Sequence, residues 1–228
     1  MKTLLLTLVL VSGAVFAKPP ESTMQLGMVI FPPFTIVDDG GSCQGTLNDL
    51  MTNVFKESTY NFHLTCASPK RIYRSITNNS LDLSINVKTT KMLEGLLSYS
   101  EIPFSRLTII QGRNPNAKEK NTVSLLYGFD YNGHAKRLID SGVAPVHSNS
   151  VEVVTNAFLL GRTEYLLAYK RPYEHFKQKL ELSDTPPIKD IIIEEVDSID
   201  AFIAVNKGSK EHDKLISLVN SRWVRAAD

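Results

Sequence analysis

The sequence predicts an α/β protein built from two lobes of similar size. Predicted strands and helices alternate through the first part of the chain, which is typical of the parallel βαβ units in Rossmann-like folds. A polar stretch without periodicity at 114–121 interrupts this pattern, and the alternation begins again after it. The restart indicates a second α/β lobe.

In the first part, the clearest element is an amphipathic helix. Five apolar residues share one face at helical spacing: Leu47, Leu50, Met51, Val54 and Phe55. Pro69 suits the start of the next helix, because its missing N–H would be unpaired there. Strands are predicted at 25–30, 35–37, 62–65, 81–87 and 106–111, and a short helical piece at 91–97.

The second part repeats these signals. Asn149 and Glu152 have the spacing of a helix N-cap and its reciprocal partner, and Pro172 opens a further helix. The last helix carries Leu215, Ile216, Val219 and Trp223 on one face. Strands are predicted at 122–127, 164–169, 190–196 and 201–205, and helices at 134–140 and up to 160.

The N-terminus has the pattern of a cleaved signal peptide covering residues 1–17. Lys2 precedes an apolar run, and Ala17 supplies the small residue at the cleavage point. The alternative is an uncleaved membrane anchor, but the apolar stretch of about 15 residues is shorter than the roughly 20 that a spanning helix needs. We therefore expect the protein to be exported to the periplasm.

Charge and cysteine content narrow the function. The chain has 25 Lys and Arg against 24 Asp and Glu, so it lacks the basic surface of a nucleic-acid-binding protein. Its two cysteines, Cys43 and Cys66, would lie in an oxidising compartment, where an isolated pair usually forms a disulfide. A metal pair or redox centre is the alternative, but the sequence has no CxxC spacing and no clustered His to support it.

Five motifs, in matching order, resemble family 3 of the bacterial extracellular solute-binding proteins. They cover nearly all of the chain after residue 17. They are Pro33-Phe34 followed by Gly45-x-x-x-Asp49-Leu50, Arg74-Ser75-Ile76 through Leu81-Asp82-Leu83, Tyr99-Ser100-Glu101-Ile102-Pro103-Phe104, Gly161-Arg162-x-Glu164-Tyr165, and Phe202-Ile203-Ala204-Val205-Asn206-Lys207-Gly208.

The resemblance implies a specific architecture. Two Rossmann-like lobes would be joined by two crossing strands, with the ligand held in the cleft between them. Lobe 1 would comprise residues 18–110 and 198–228, and lobe 2 residues 111–197. The resemblance also implies an ABC permease in the inner membrane as partner, and we expect the binding protein itself to be a monomer.

Four loops at the carboxyl ends of predicted strands are candidates for the cleft, where α/β lobes place their ligand contacts. The candidate residues are Phe34, then Asn86, Lys88, Thr89 and Lys91, then Phe129, Asp130 and Tyr131, and finally Tyr169 and Lys170. Ordinary alternatives are packing at a strand end for Phe34, a solvated surface for the two lysines of the second loop, and a plain turn for the third loop.

Two expected ligand anchors are absent. Amino-acid binders of this family carry an Arg for the α-carboxylate shortly after the second loop, and an Asp for the ammonium group. Here the first region, 88–94, has no Arg, and Ala168 stands at the second position. An unpaired charge in a closed cleft costs several kcal/mol, so we expect no tight binding of ordinary α-amino acids. A small polar or mono-anionic metabolite with an apolar part, or a sugar-like compound, fits better.

An enzyme is not expected. The sequence has no GxSxG, HExxH or P-loop pattern, and its five His are scattered. No metal or other cofactor is expected either. The sequence leaves two alternatives open beside solute capture for an importer: a periplasmic sensor or accessory binding protein, and, less favoured, a dehydratase-like or lyase-like enzyme on the same fold.

Overall fold

The computed structural model describes residues 22–56, 58, 60–183 and 190–222. The strands are β1 (Thr23–Val29), β2 (Ile36–Val37), β3 (Cys43–Gln44), β4 (Asn61–Ala67), β5 (Leu83–Val87), β6 (Leu97–Tyr99), β7 (Ser105–Arg113), β8 (Glu119–Leu126), β9 (Ala144–Ser148), β10 (Thr163–Tyr169) and β11 (Ile192–Asn206). The helices are α1 (Thr46–Phe55), α2 (Pro69–Thr77), α3 (His134–Asp140), α4 (Val151–Leu159), α5 (Lys170–Glu181) and α6 (His212–Arg222), with a 3-10 turn at Lys91–Leu93.

Nine of the strands form one sheet whose two halves have the same topology. In the first half the order is β4-β1-β5, and in the second half it is β10-β8-β9, with all neighbours parallel. In both halves the first strand in sequence lies between the second and the third. At the point where the strand order reverses, the connections after neighbouring strands run to opposite faces of the sheet. A crevice therefore forms there, at the carboxyl ends of the strands.

The two halves are joined by an antiparallel pair of strands, the β7–β11 ribbon. Its register runs from Ser105 opposite Ala201 to Arg113 opposite Ile192. β11 continues into the first half by pairing with β5 and β6, and β7 continues into the second half by pairing with β10. The predicted lobe boundaries, at 110/111 and 197/198, fall inside this ribbon and stay a prediction.

Each half is held together by its own apolar core. In the first half, Ile203 and Val205 of β11 pack with α1 and α6, whereas Ala204 packs with α2. Because successive strand residues point to opposite faces, these two clusters cover the two sides of the sheet. In the second half one cluster joins β7, β8 and β10 to helices α3, α4 and α5. The α/β prediction is therefore confirmed.

Four local predictions are wrong. The segments 190–196 and 201–205 form a single strand, β11, because the polar residues between them pair with β7 rather than turning. β6 replaces the end of the helical piece predicted at 91–97. β9 was not predicted, because this edge strand is largely exposed and lacks an apolar pattern. The N-cap of α4 is Ser150, whose Oγ accepts the Val153 N–H at 3.3 Å, not Asn149.

Some predictions fall outside the described residues, namely the signal peptide at 1–17 and the place of Trp223 in the last helix. Within the ranges that the structure describes, none of the helices is long and apolar enough to cross a membrane.

Candidate functional site

The carboxyl ends of strands from both halves of the sheet lie at or next to one cavity. From the first half come the loop after β1, with Phe31, and the end of β5, with Asn86. From the second half comes Phe129, in the loop after β8, which packs against the apolar cores of both halves. Tyr169 ends β10 and lies against Phe31 and Phe129. The loops predicted from the sequence therefore converge.

The cavity has a volume of about 70 Å³ and an apolar lining. It is lined by Met28, Val29, Phe31, Phe34, Leu47, Tyr73, Ile85, Asn86, Val87, Phe104, Ser105, Leu107, Phe129 and Ala201. Every one of these residues is uncharged. The lining therefore offers extensive apolar contact and few hydrogen-bonding groups.

Aromatic rings from both halves close the cavity. The ring centroids of Phe31 and Phe129 are 6.5 Å apart with an angle of 6° between the ring planes. The ring centroids of Tyr73 (α2) and Phe129 are 6.3 Å apart, and those of Phe31 and Phe34 are 6.1 Å apart. These separations are within the range of favourable ring pairs, so the aromatic contacts hold the two halves together over the cavity.

The tyrosines of this cluster are neutral at physiological pH. Burial raises the pKa of Tyr73, Tyr131 and Tyr169 above the ordinary value of a tyrosine, because the phenolate would lose its hydration. The Tyr131 hydroxyl accepts the Leu126 N–H at 3.2 Å. The cluster therefore adds surface and dipoles to the site, and no charge.

Asn86 is the principal polar side chain of the cavity. It is 5% exposed, and its Nδ2 donates to Ser84 Oγ at 2.6 Å. Among the described residues this is the one hydrogen bond that the Asn86 side chain makes. An asparagine amide has two N–H groups and a carbonyl oxygen, so Asn86 keeps an unused donor and acceptor beside the cavity.

Phe34 is held in place by the start of α1. The Leu47 N–H donates to the Phe34 carbonyl oxygen at 3.1 Å, so the helix end fixes the loop. Gly45 makes this approach possible: its φ is +108°, and a Cβ there would lie 2.4 Å from the Phe34 oxygen. The Gly45 of the sequence motif therefore has a physical role in placing an aromatic residue of the site.

The disulfide restrains the same loop from its other end. Cys43 of β3 and Cys66 of β4 are bonded, with their Cα atoms 5.7 Å apart, which confirms the predicted pair. The β2–β3 hairpin directly follows the Phe31–Phe34 segment, and the bond ties this hairpin to β4. Phe31 also forms a bridge to Thr35.

Three of the predicted residues after β5 lie outside the cavity lining. Lys88 is exposed, and its Nζ lies 3.9 Å from the centroid of the Phe202 ring. Lys91 is exposed at the start of the 3-10 turn. The Thr89 hydroxyl is buried and has no hydrogen-bond partner among the described residues. A role for these three in ligand binding stays a prediction.

The remaining predicted residues come from the second half. Asp130 accepts the Asn132 N–H at 3.0 Å and so shapes its own loop. Tyr131 and Tyr169 pack 5.5 Å apart behind Phe129. Lys170, which begins α5, forms an ion pair with Glu195 of β11. Their roles toward a ligand also stay predictions.

A wider polar groove lies beside the cavity and shares Phe34 and Leu107 with it. Its volume is about 480 Å³, and it is also lined by Arg106, Thr108, Tyr169, Lys170, Arg171, Pro172 and Glu174. Arg106 pairs with Asp200 at 3.0 Å, as Lys170 does with Glu195. The charged residues near the cleft are therefore concentrated in this groove.

Several lining residues were not predicted from the sequence. Tyr73 lies on helix α2, Phe104 in a connecting segment, and Leu107 and Ile85 in strands, so none of them belongs to a predicted cleft loop. Phe31 lies in the predicted first loop, and its position next to two prolines was the one signal that could have identified it. In the part of the chain that the structure describes, no group of His, Cys, Asp and Glu could hold a metal ion.

Comparison with known proteins shows the fold. No family model and no curated protein sequence matches the chain. Among solved structures, the arginine-bound form of ArgBP from T. maritima superposes with a TM-score of 0.68 at 17% identity, covering 88% of this chain and 94% of that one. The low identity limits the conclusion to a shared architecture.

Two further structures have the same fold. A substrate-binding protein of an ABC uptake transporter from Streptococcus pneumoniae, with bound histidine, has a TM-score of 0.69 at 12% identity, covering 88% of this chain and 85% of that one. A histidine kinase sensor domain with similarity to periplasmic binding proteins has a TM-score of 0.70 at 13% identity, covering 88% of each chain. The chain therefore has a periplasmic-binding-protein fold.

Proposed function

We propose that this protein binds a small molecule in the cleft between the two halves of its sheet and delivers it to an ABC importer. One observation carries the proposal. The cavity at the carboxyl ends of β1 and β5 is lined by the first half of the sheet, by the β7–β11 ribbon and by Phe129 from the loop after β8 in the second half. Ligands of α/β proteins bind at such crevices, and closure of two halves around a ligand removes it from water.

The same proposal includes the family and the compartment. The chain would be a member of family 3 of the extracellular solute-binding proteins, exported through cleavage after Ala17. The order of its sequence motifs and the periplasmic-binding-protein fold support the family. The Cys43–Cys66 disulfide supports an oxidising compartment. The protein would act as a monomer with an inner-membrane permease as its partner.

A sensor or accessory role is the second candidate. It is supported by the shared fold with a histidine kinase sensor domain. Both roles use the same cleft and differ in the partner that recognises the closed form. Deletion of the gene separates them: loss of uptake of the ligand indicates transport, and loss of a transcriptional response with uptake intact indicates sensing.

Catalysis is not part of the proposal. A general acid or base needs a titratable group that reaches the substrate, with a pKa near the working pH. Every residue lining the cavity is uncharged, and burial raises the pKa of its tyrosine, Tyr73, far from neutrality. This lining therefore favours binding over the dehydratase or lyase alternative.

A ligand screen tests the proposal. Thermal shift of the purified full chain against a metabolite collection covering neutral, acidic, basic and zwitterionic compounds should give hits, which calorimetry then quantifies. Small-angle scattering at saturation should show a smaller radius of gyration than the free protein, because the two halves close. If no compound of any class binds, the solute-binding proposal fails. If a hit leaves the radius unchanged, the closure mechanism fails.

A further inference from the structure

We infer that the ligand of the cavity is a neutral compound about the size of one ring, with an apolar body and a single hydrogen-bonding group that meets Asn86. This inference rests on the proposed function, since it names the class of molecule that the same cleft would take. It narrows the sequence-based expectation, which included mono-anionic and sugar-like metabolites.

The cavity volume sets the size. The cavity volume of about 70 Å³ is several times the roughly 10–15 Å³ that a single buried water needs, so the site has room for a compound of about one ring. The space opens beside Phe34 and Leu107 toward the polar groove. A substituent on the ring can extend there.

The lining sets the charge. Among the described residues, no charged side chain lines the cavity, and three cations near it contact other groups. Lys88 lies over the Phe202 ring, Lys170 pairs with Glu195, and Arg106 pairs with Asp200. A carboxylate or ammonium group inside the cavity would lose its hydration without gaining an opposite charge. A zwitterion would lose the hydration of both of its charged groups.

The ring arrangement sets the shape. The rings of Phe34, Phe31 and Phe129 form a nearly parallel series, with angles of 15° and 6° between neighbouring planes. A flat ring gains most contact by lying parallel and offset against such a series. Saturated polyols would place hydroxyl groups against the apolar lining, where few partners are available.

Asn86 sets the polar group. Its side chain is almost fully buried, lines the cavity, and keeps a donor and an acceptor after donating to Ser84. A buried amide binds best to a group that both donates and accepts, such as an amide or a phenolic hydroxyl. One such group on a neutral ring satisfies Asn86 without introducing a charge.

Matched probes test the inference. Benzamide and benzoate share a ring and differ in charge, so calorimetry and ligand-observed NMR on the purified full chain should show benzamide binding at least about 100-fold more tightly. Phenol should also bind, and L-arginine, L-histidine and L-glutamine should not. Benzoate equal to or tighter than benzamide, no binding by benzamide and phenol, or micromolar binding of an amino acid or sugar would overturn the inference.

The two proposals can fail separately. A charged or zwitterionic hit in the wider screen overturns the ligand class while the solute-binding function stands. Failure of every compound in that screen removes the function as well.

Variants locate the contact. The N86L change should weaken benzamide about 10-fold, since it removes one hydrogen bond, and leave benzene binding unchanged. Retained benzene binding shows that the cavity is intact. The N61L change, on the exposed start of β4, is the matched control and should affect neither probe. If N86L does not fold, N86S should give a smaller loss for benzamide. Equal benzamide affinity in the wild type and in the folded Asn86 variant would contradict the assigned contact.

Discussion

The ring of Phe31 lies 5.4 Å from the ring of Tyr169, centroid to centroid, in an edge-to-face arrangement. Phe31 follows β1 in the first half of the sheet, and Tyr169 ends β10 in the second half. This pair therefore connects the two halves by a side-chain contact, in addition to the β7–β11 ribbon. A second contact between the halves places Lys70 of α2 5.4 Å from the Tyr127 ring centroid.

The Phe31–Tyr169 contact should be measurable as a coupling free energy. A double-mutant cycle with Phe31→Leu and Tyr169→Leu should give about 1 kcal/mol of coupling in urea unfolding, because edge-to-face pairs contribute beyond their buried area. The Phe55–Phe62 pair, 4.2 Å apart within the first half, is the control for a contact that does not join the halves. Additive effects of Phe31→Leu and Tyr169→Leu would mean that the contact between the two rings does not stabilise the free protein.

Ligand binding should favour the closed form through packing. A ligand in the cavity packs against the first half, the β7–β11 ribbon and Phe129 of the second half together, so binding favours the arrangement in which the halves are in contact. This coupling is the physical basis for the contraction expected in scattering. It also predicts that the Phe31–Tyr169 coupling grows when ligand is present.

Gly45 should be intolerant of a side chain. The Gly45→Ala change should destabilise the protein by about 2–3 kcal/mol in urea unfolding, because φ is +108° and the new Cβ would meet the Phe34 oxygen. Gly41→Ala is the matched control: φ there is +82° and no atom lies within 4 Å, so its cost should be about 1 kcal/mol. Equal effects of the two changes would show that the Phe34 contact is unimportant.

The disulfide should contribute strongly to stability. Its closed loop spans a sequence separation of 23, which corresponds to about 3 kcal/mol on the chain-entropy model and to roughly 6–12 °C in Tm. Thermal unfolding with and without reductant measures this, with the Cys43→Ser, Cys66→Ser double variant as the control for side reactions. Thiol titration of the denatured, unreduced protein should find no free thiol. Two free thiols, or a Tm unchanged by reductant, would contradict the prediction.

Glu164 should make stability depend on acid pH. The Asn121 N–H, donating at 2.9 Å, and the nearby Arg113 lower the pKa of the Glu164 carboxyl below its ordinary value of 4.5. Because the folded-state pKa is the lower one, the stabilisation is fully present above the unfolded-state value and is lost as pH falls through the folded-state value. Urea midpoints between about pH 6 and pH 3 should therefore fall less steeply in Glu164→Gln than in the wild type. Glu174→Gln, on the exposed side of α5, is the matched control variant. Equal pH dependence of the urea midpoint in the wild type and in Glu164→Gln would refute the stabilising role of the Glu164 carboxylate.

Much of the fold could be predicted because it is encoded locally. The apolar stripe from Leu47 to Phe55 specifies α1, and the proline at 69 marks the start of α2. The errors have the opposite origin. β11 continues through polar residues because β7 pairs with them, and β9 forms an exposed edge because β8 offers it a partner. β7 lies far from β11 in the chain, and α3 separates β8 from β9.

The sequence predicted which loops form the site, but it did not predict the full set of residues that line the cavity. Phe34, Asn86 and Phe129 were identified because they lie at or after the carboxyl ends of strands, where folds of this order place their ligand contacts. Tyr73 and Phe104 line the cavity from a helix and a connecting segment. No general rule places residues of such segments at a ligand site. Lys88 and Lys170 were candidates for contact with the ligand. In the structure Lys88 lies over an aromatic ring and Lys170 pairs with a carboxylate.

The sequence by itself determined the α/β class, the repeated alternation in two parts and the pairing of the only two cysteines, since all three depend on composition, periodicity or chain order. Tertiary structure alone decided that the cavity is lined by uncharged residues. Whether a lysine faces a ligand or a neighbour depends on contacts between segments far apart in the chain, and hydrophobic periodicity carries no information about those contacts. The chemistry of this cleft therefore depends on which side chains of the two halves are in contact in the folded protein.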